Sequence, residues 1–176
     1  ISKGCVLISQ HADSMGAPSA CEMKGIPNVS YNGSTVSACP DTFIVSSAIN
    51  WTPYFQYIIE SYVKGEAIAA DWCGGIDEGS VVLSDINGKA AAKGTKEKIA
   101  ETITALKNGT LKVFDVNTFT VNGEKLTSYM ADVNFDENYT KDTEAIKNGA
   151  FAESSDRSAP YFDLTIDGIE FLNSMY

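Results

Sequence analysis

The pattern that most constrains the fold lies near the start of the sequence, where two short apolar segments flank a helical one. Cys5–Gln10 is an apolar run, and Ile26–Tyr31 is a second. Between them, Pro18 suits the first turn of a helix that runs to about Lys24, and Gly25 suits its C-terminal cap. A β-loop-α-β unit of this kind builds a parallel sheet with helices packed on it.

The next segment repeats the order of strand and helix. Thr42–Ile49 is rich in β-branched residues, which predicts another strand. Thr52 is a plausible N-cap and Pro53 a plausible first helical residue. Apolar residues then recur at spacings of three and four until Gly65, which predicts one apolar helix face and a helix end.

Three further elements complete the predicted core. Ser80–Leu83 has the composition of a short strand, and Thr95–Asn108 has the periodicity of an amphipathic helix. Leu111–Phe114 is predicted to be a strand. We therefore expect an α/β fold with a parallel sheet flanked by helices.

The C-terminal part has a different pattern, typical of β-hairpins. Thr118–Leu126 contains Asn122-Gly123, the signal of a type I′ turn. Phe162–Phe171 predicts a second hairpin around Asp167-Gly168. Asp136–Asn148, between them, is predicted to be a polar loop with a short helix.

Composition and charge narrow the function. The chain has 176 residues and a formal net charge of −10. An acidic surface of this size repels nucleic-acid phosphates, so no nucleic-acid partner is expected, although such a surface also simply favours solubility. No apolar run reaches the length of a transmembrane helix.

The common catalytic and metal-binding signatures are absent from the sequence. Four cysteines lack C-x-x-C spacing and there is one histidine, so neither a zinc site nor another metal site is expected. Free buried thiols and a disulfide both stay open. There is no phosphate-binding loop, no dinucleotide fingerprint and no nucleophile elbow, so no cofactor and no enzymatic activity are expected. Adjacent Asp77 and Glu78 are expected to point apart rather than to form an acid–base pair.

What remains is typical of ligand recognition. Ligands of parallel sheets bind at loops that follow the carboxyl ends of strands. Tryptophan can stack on a planar ring there, while carboxylates and amides hydrogen-bond to hydroxyls. For the tryptophans the alternative is packing, and for the histidine it is a local capping hydrogen bond. The candidate residues are His11, Asp13, Asn32, Trp51, Trp72 and Asp77.

Four segments resemble, in order and spacing, those of the basic membrane protein family of nucleoside-capturing lipoproteins. Val6–Ser14 resembles its apolar run followed by Q-H-x-D-S, and Val29–Asn32 resembles its G-Y-N strand. Ile49–Tyr54 is similar to the family's W-N-W-G-P-Y, and Trp72–Gly79 is similar to its W-G-G-L-K-D-G. The match covers residues 1–115, and residues 116–176 match loosely.

The resemblance implies a C-terminal portion of a two-lobed type I periplasmic-binding fold, with the N-terminal lobe absent from this chain. It implies an extracytoplasmic, membrane-associated substrate-binding protein, lipid-anchored at full length, that delivers a nucleoside to the permease of an ABC transporter. Trp51 would lie near the base-stacking region, Asn50 beside it would also contact the ligand, and the loop of Gly75 and Asp77 would approach the ribose. At Asp77 the family often has lysine; an aspartate would chelate two ribose hydroxyls or favour a cationic ligand.

The sequence leaves two alternative functions and one further expectation open. A sensory domain of a signalling protein can use the same fold, and a nucleoside-processing enzyme would release free base. Self-association through the surface that the absent lobe would cover is also expected, because large bare apolar patches usually bind a partner.

Overall fold

The computed structural model describes residues 1–134, 138–152 and 164–171. The chain divides into two compact units, unit 1 (Ile1–Asn108) and unit 2 (Gly109–Tyr176). The elements of unit 1 are β1 (Ile8–Ser9), α1 (Gly16–Lys24), β2 (Asn28–Tyr31), β3 (Phe43–Ile49), α2 (Thr52–Lys64), β4 (Val81–Leu83) and α3 (Thr95–Lys107). The strands of unit 2 are β5 (Met130–Ala131), β6 (Thr143–Glu144), β7 (Ile146–Lys147) and β8 (Ala150–Phe151).

Unit 1 is a four-stranded sheet in the order β1-β2-β3-β4, flanked by helices. β1, β2 and β3 are parallel, which confirms the predicted α/β class. β4 pairs antiparallel with β3, with Ile49 opposite Val81 and Ser47 opposite Leu83. This antiparallel edge strand departs from the parallel pattern because residues 65–80, which follow α2, carry the chain back to the edge at which β3 ends.

The helices of unit 1 begin and end close to the predicted positions. α1 and α2 end at Gly25 and Gly65, whose φ angles of 66° and 69° lie in the left-handed region that glycine adopts without a Cβ penalty. Thr52 was predicted to be the N-cap of α2, but it is the first residue of the helix. The Asn50 side-chain carbonyl accepts the Thr52 backbone N–H at 3.1 Å and satisfies the group that a capping side chain would.

The first predicted strand is shorter than expected. Only Ile8–Ser9 pairs with β2, although Cys5–Gln10 was predicted to be extended throughout. Val6 is 80% exposed. An apolar run without a neighbouring strand on its outer side has fewer partners to hold it in register, so the ladder stops after two residues.

Unit 2 has its own hydrophobic core. Its buried members are Val116, Ala131, Ala145 and Phe151, against which half-buried apolar side chains pack. β5 pairs antiparallel with β6, and β7 pairs antiparallel with β8, which confirms antiparallel strand pairs in the C-terminal part.

The predicted hairpins of unit 2 had different outcomes. Asn122 and Gly123 have φ angles of 54° and 80°, as a type I′ turn requires, and Val121 bridges Glu124. Leu111–Phe114 is not a strand. In Phe162–Phe171 the turn at Asp167-Gly168 is present, no strand occurs at 164–171, and residues 162 and 163 lie outside the described residues.

The short helix predicted within Asp136–Asn148 was wrong for the described residues 138–148, which contain β6 and β7 instead. Residues 136 and 137 lie outside the described residues. The Glu144 carboxylate accepts backbone N–H groups of Tyr129 and Ile146, both at 2.9 Å, and so links β6 to the segment before β5. The bond from Tyr129 is long-range, so local periodicity cannot show it, and it favours extended backbone here.

Candidate functional site

The topology of unit 1 brings four loop segments to one edge of the sheet, which we call the carboxyl edge. β1, β2 and β3 are parallel, so residues 10–15, 32–35 and 50–51 leave the sheet at the same edge. Because β4 is antiparallel to β3, residues 74–80 approach the sheet at that edge as well. Seven of the eight predicted binding residues lie on these segments, and Trp72 precedes the last of them.

The loops after β1 and β2 enclose an open cavity of about 220 Å³. Asp13 and Asn32 line it together, as the sequence predicts for residues that follow neighbouring parallel strands. Gln10 also lines the cavity, and its side-chain N–H donates to the Ser14 carbonyl at 3.3 Å. Its side-chain oxygen is buried and accepts no hydrogen bond from the described residues. A ligand that donates hydrogen bonds would pair with the exposed Asp13 carboxylate directly, and with the buried Gln10 oxygen after a shift of the side chains that cover it.

His11 stands beside this cavity and is held by a ring contact. Its imidazole stacks on the Tyr31 ring, with centroids 4.4 Å apart and planes 11° apart. One face of the imidazole is therefore covered by protein, whereas the residue as a whole is exposed. Asn32 follows Tyr31 with a φ of 64°, and its backbone N–H donates to the Ser47 carbonyl at 2.6 Å. Asparagine tolerates this left-handed conformation, which turns the chain away from the sheet.

Asn50, at the end of β3, is held by hydrogen bonds from both its side chain and its backbone. Its side-chain N–H donates to the Gly79 carbonyl at 3.0 Å, and its backbone N–H donates to the Ser80 carbonyl at 2.8 Å. Its side-chain oxygen accepts from Thr52, as described above. Asn50 therefore fixes the loop before β4 to the start of α2, and ligand contact would compete with these bonds.

Trp51 is the most accessible of the predicted aromatic residues. It is 57% exposed at the start of α2. Its ring borders an open groove of about 560 Å³ together with Phe55 and Ile59, which are themselves 56% and 61% exposed. A ring exposed in this way can stack on a planar or alicyclic ligand without repacking.

Trp72, by contrast, is packed against the protein. Its ring stacks on Tyr57, with centroids 6.3 Å apart, and lies 5.3 Å from the Tyr54 ring. Gly74 lies so close that a Cβ placed there would be 2.3 Å from the Trp72 ring and 2.6 Å from the Ser80 hydroxyl oxygen. This geometry corresponds to the packing alternative for Trp72.

Gly75 and Asp77 lie in a tight loop. The Gly75 N–H donates to the Glu78 carboxylate at 2.7 Å, while Asp77 forms an ion pair with Lys107 at 3.2 Å. The adjacent carboxylates of Asp77 and Glu78 thus have different partners, as predicted. The Lys107 ammonium group offsets part of the Asp77 charge at the carboxyl edge.

Two residues of this edge were missed by the sequence reasoning. Gln10 was read only as part of a strand, and Tyr31 only as the end of the next one. The signal for Gln10 was available, since a polar residue at the carboxyl end of a buried parallel strand faces the usual ligand position. The stacking of Tyr31 on His11 depends on the register of β1 and β2, which the sequence does not state.

Across residues 1–134, 138–152 and 164–171, no group of three or more histidine, cysteine or acidic side chains is placed to hold a metal ion. Within the same ranges, none of the helices has the length and apolarity needed to cross a membrane.

Comparison with known proteins finds a distant relative. No protein-family model matches the chain. Over 119 residues the chain is 27% identical to a Haloferax volcanii protein named "Putative ABC transporter glucose-binding protein TsgA13". The match covers 68% of this chain and 30% of that protein, so this chain spans less than a third of the relative's length. The similarity supports a substrate-binding-protein family.

Proposed function

We propose that this chain is the solute-binding part of an extracytoplasmic, membrane-associated protein that delivers a small polar solute to an ABC transporter permease. The observation that carries the proposal is the cavity at the carboxyl edge, where Gln10 holds a buried acceptor without a partner among the described residues and Asp13 adds a carboxylate. The Haloferax volcanii relative, named as a glucose-binding protein of an ABC transporter, supports the transport role.

The ligand that we propose is a nucleoside. Its ribose hydroxyls would donate hydrogen bonds to Gln10 and Asp13, and its base would stack on the exposed Trp51 ring. The resemblance to the basic membrane protein family supports the nucleoside. Glucose, which the relative's name gives, has the same hydroxyl chemistry but no planar base, so the two ligands are separated by experiment.

Binding of this kind needs hydrogen bonds and shape but no covalent step. A binding protein closes around its solute because the ligand has a higher affinity for the closed conformation. In that scheme Asp13 and Gln10 orient the hydroxyls, Trp51 covers the base, and Asn50 keeps the loop before β4 in place.

The test is a titration of the protein at its full natural length with adenosine, guanosine, adenine, ribose and glucose. Thermal shift and calorimetry measure binding, and chromatography of the mixture measures breakdown. We expect stabilisation that grows with nucleoside concentration while the nucleoside stays intact. Binding of glucose alone would keep the transport role and refute the nucleoside. Release of free base would refute a purely binding function.

Two substitutions, each with a matched control, test the site. Asp13→Ala removes a charged acceptor and is expected to weaken nucleoside binding about 10- to 100-fold. Asp85→Ala is its control, because Asp85 is an exposed acid that follows β4, at the opposite edge of the sheet. Trp51→Ala is expected to weaken binding about 2- to 10-fold through lost stacking. Its control is Tyr62→Ala, an aromatic residue 81% exposed on α2. Equal effects of a variant and its control would contradict the assignment.

A further inference from the structure

We propose that Cys21 and Cys39 form a disulfide that fastens α1 to the segment leading into β3. The proposal concerns the covalent state of unit 1 and does not depend on the ligand. All four cysteines are free thiols in the structure, but their surroundings differ: Cys21 is 1% exposed and Cys39 is fully buried, while Cys73 is exposed and Cys5 is intermediate.

The two buried cysteines lie on segments that are bonded directly to each other. Glu22, next to Cys21 in α1, accepts the Asp41 backbone N–H at 3.1 Å and the Thr42 hydroxyl at 2.7 Å. Asp41 and Thr42 lie two and three residues after Cys39, and the Cys39 carbonyl accepts the backbone N–H of Phe43 at 2.9 Å. One carboxylate therefore holds the turn of helix containing Cys21 against the loop containing Cys39.

The start of β2 joins the same cluster. The Asn28 backbone N–H donates to the Thr42 carbonyl at 2.9 Å, and its side-chain N–H donates to the Thr42 hydroxyl at 3.0 Å. The Cys39 thiol donates to the Thr35 carbonyl at 3.1 Å. These bonds fix the segment of Cys39 against the start of β2, and the Glu22 bonds fix the same segment against α1, so a disulfide would be formed between segments that are already in contact.

The pKa of Cys21 also indicates that the two sulfur atoms are close to each other. Burial raises the pKa of the Cys21 thiol, and the nearby Cys39 sulfur raises this pKa further. A charge on one sulfur would therefore oppose a charge on the other, as expected of neighbouring thiols. Because the thiolate is the reactive form, the Cys21 thiol would react slowly in the folded protein, and the bond is expected to form during folding.

The chemistry is a thiol–disulfide exchange with a disulfide oxidant such as oxidised glutathione. One cysteine thiolate attacks the oxidant, which gives a mixed disulfide and releases one glutathione thiol. The second cysteine, after losing its proton, attacks the bonded protein sulfur and releases the second glutathione. Two protons and two electrons leave the protein in total, and one oxidised glutathione becomes two reduced molecules.

The test is refolding of the chain in a glutathione redox buffer, followed by denaturation, alkylation of the remaining thiols and intact mass measurement. Trypsin leaves Cys5 and Cys21 on one peptide, because no lysine or arginine lies between them. The Cys5→Ser/Cys73→Ser variant removes this ambiguity, since it retains only the proposed pair. After oxidative refolding, we expect this variant to have no thiol that reacts with the alkylating reagent. The Cys21→Ser/Cys39→Ser variant is expected to keep both of its thiols, and both should be alkylated.

The oxidised Cys5→Ser/Cys73→Ser protein is also expected to have a Tm about 6–12 °C above that of its reduced form, because a closed loop of this length limits the unfolded chain. Alkylation of both thiols after refolding to the native circular dichroism spectrum would refute the proposal. A wild-type disulfide that fragment ions assign to Cys5 or Cys73 would refute it as well.

Discussion

Unit 1 and unit 2 differ in the side chains that they bury. The buried polar side chains found in the described residues, among them Asn28, Ser46 and Ser80, lie in unit 1. Unit 2 instead buries a compact apolar cluster around Phe151. A buried polar group is stabilising only while its hydrogen bonds are made, whereas apolar burial needs close contact alone. The two units should therefore respond to different substitutions.

Two carboxylates, one in each unit, have different surroundings. In unit 2, Asp167 accepts the Thr120 hydroxyl and the backbone N–H groups of Asn122 and Gly123, and it thereby holds the type I′ turn. In unit 1, Asp13 lies exposed at the cavity of the carboxyl edge. Asp167 thus secures a turn, as Glu78 does at Gly75 in unit 1, whereas we propose that Asp13 binds the solute.

The largest effect is expected from removing the centre of the apolar cluster. Phe151→Ala should lower the free energy of unfolding of unit 2 by about 3–5 kcal/mol, because it leaves a cavity beside Phe119 and Tyr129. Hydrogen exchange of unit 2 peptides in urea measures the change. Phe171→Ala is the control, since Phe171 is 69% exposed. Equal losses for both variants would contradict the described core.

A smaller effect is expected from the tight contact in unit 1. Gly74→Ala places a methyl group against the Trp72 ring and the Ser80 hydroxyl, at a cost of about 1–3 kcal/mol. Gly88→Ala is the control, because nothing lies within 4 Å of a Cβ there. In a Trp51→Phe background, fluorescence reports Trp72 alone. An unchanged emission spectrum and unfolding midpoint for Gly74→Ala would show that Trp72 is not held as described.

The parts of this fold that could be predicted from the sequence are those with strong local signals. Gly25 and Gly65 end helices as predicted, and Asn122-Gly123 forms its turn, because each of these positions needs a left-handed backbone that the residue itself favours. The order of strands and helices in unit 1 could be predicted from the same kind of local signal, the glycine and proline residues between the apolar segments.

The parts that could not be predicted depend on distant partners. β6 and β7 have two residues each, too few to show a period, and Glu144 holds them through bonds to another segment. At the carboxyl edge the sequence predicted Asp13 and Asn32 on one cavity but not Gln10. Whether a polar oxygen is buried without a partner depends on the packing of its neighbours.

The smallest and most selective effect is expected from acid. Hydrogen bonds from the Thr120 hydroxyl and two backbone N–H groups lower the pKa of Asp167. The main cause of the lowered pKa of Glu144 is the hydrogen bond from the Ser128 hydroxyl. The main cause of the lowered pKa of Asp115 is the hydrogen bond from the Asn117 backbone N–H. A carboxylate with a pKa lower in the folded than in the unfolded state stabilises the fold above its unfolded pKa. This contribution is lost as the pH falls below about 4.

Among the described residues, three carboxylates with a lowered pKa lie in unit 2 and one, Glu60, lies in unit 1, so we expect unit 2 to lose protection at a higher pH than unit 1. Both tryptophans lie in unit 1, so their fluorescence reports that unit, and hydrogen exchange of peptides that cover residues 114–131 reports unit 2. Asp167→Asn should reduce the pH dependence of unit 2, because asparagine keeps a carbonyl acceptor but does not titrate. Asp85→Asn, in unit 1, should leave it unchanged. If fluorescence and exchange instead change at the same pH in the wild-type protein, the carboxylate bonds of unit 2 do not set its acid stability.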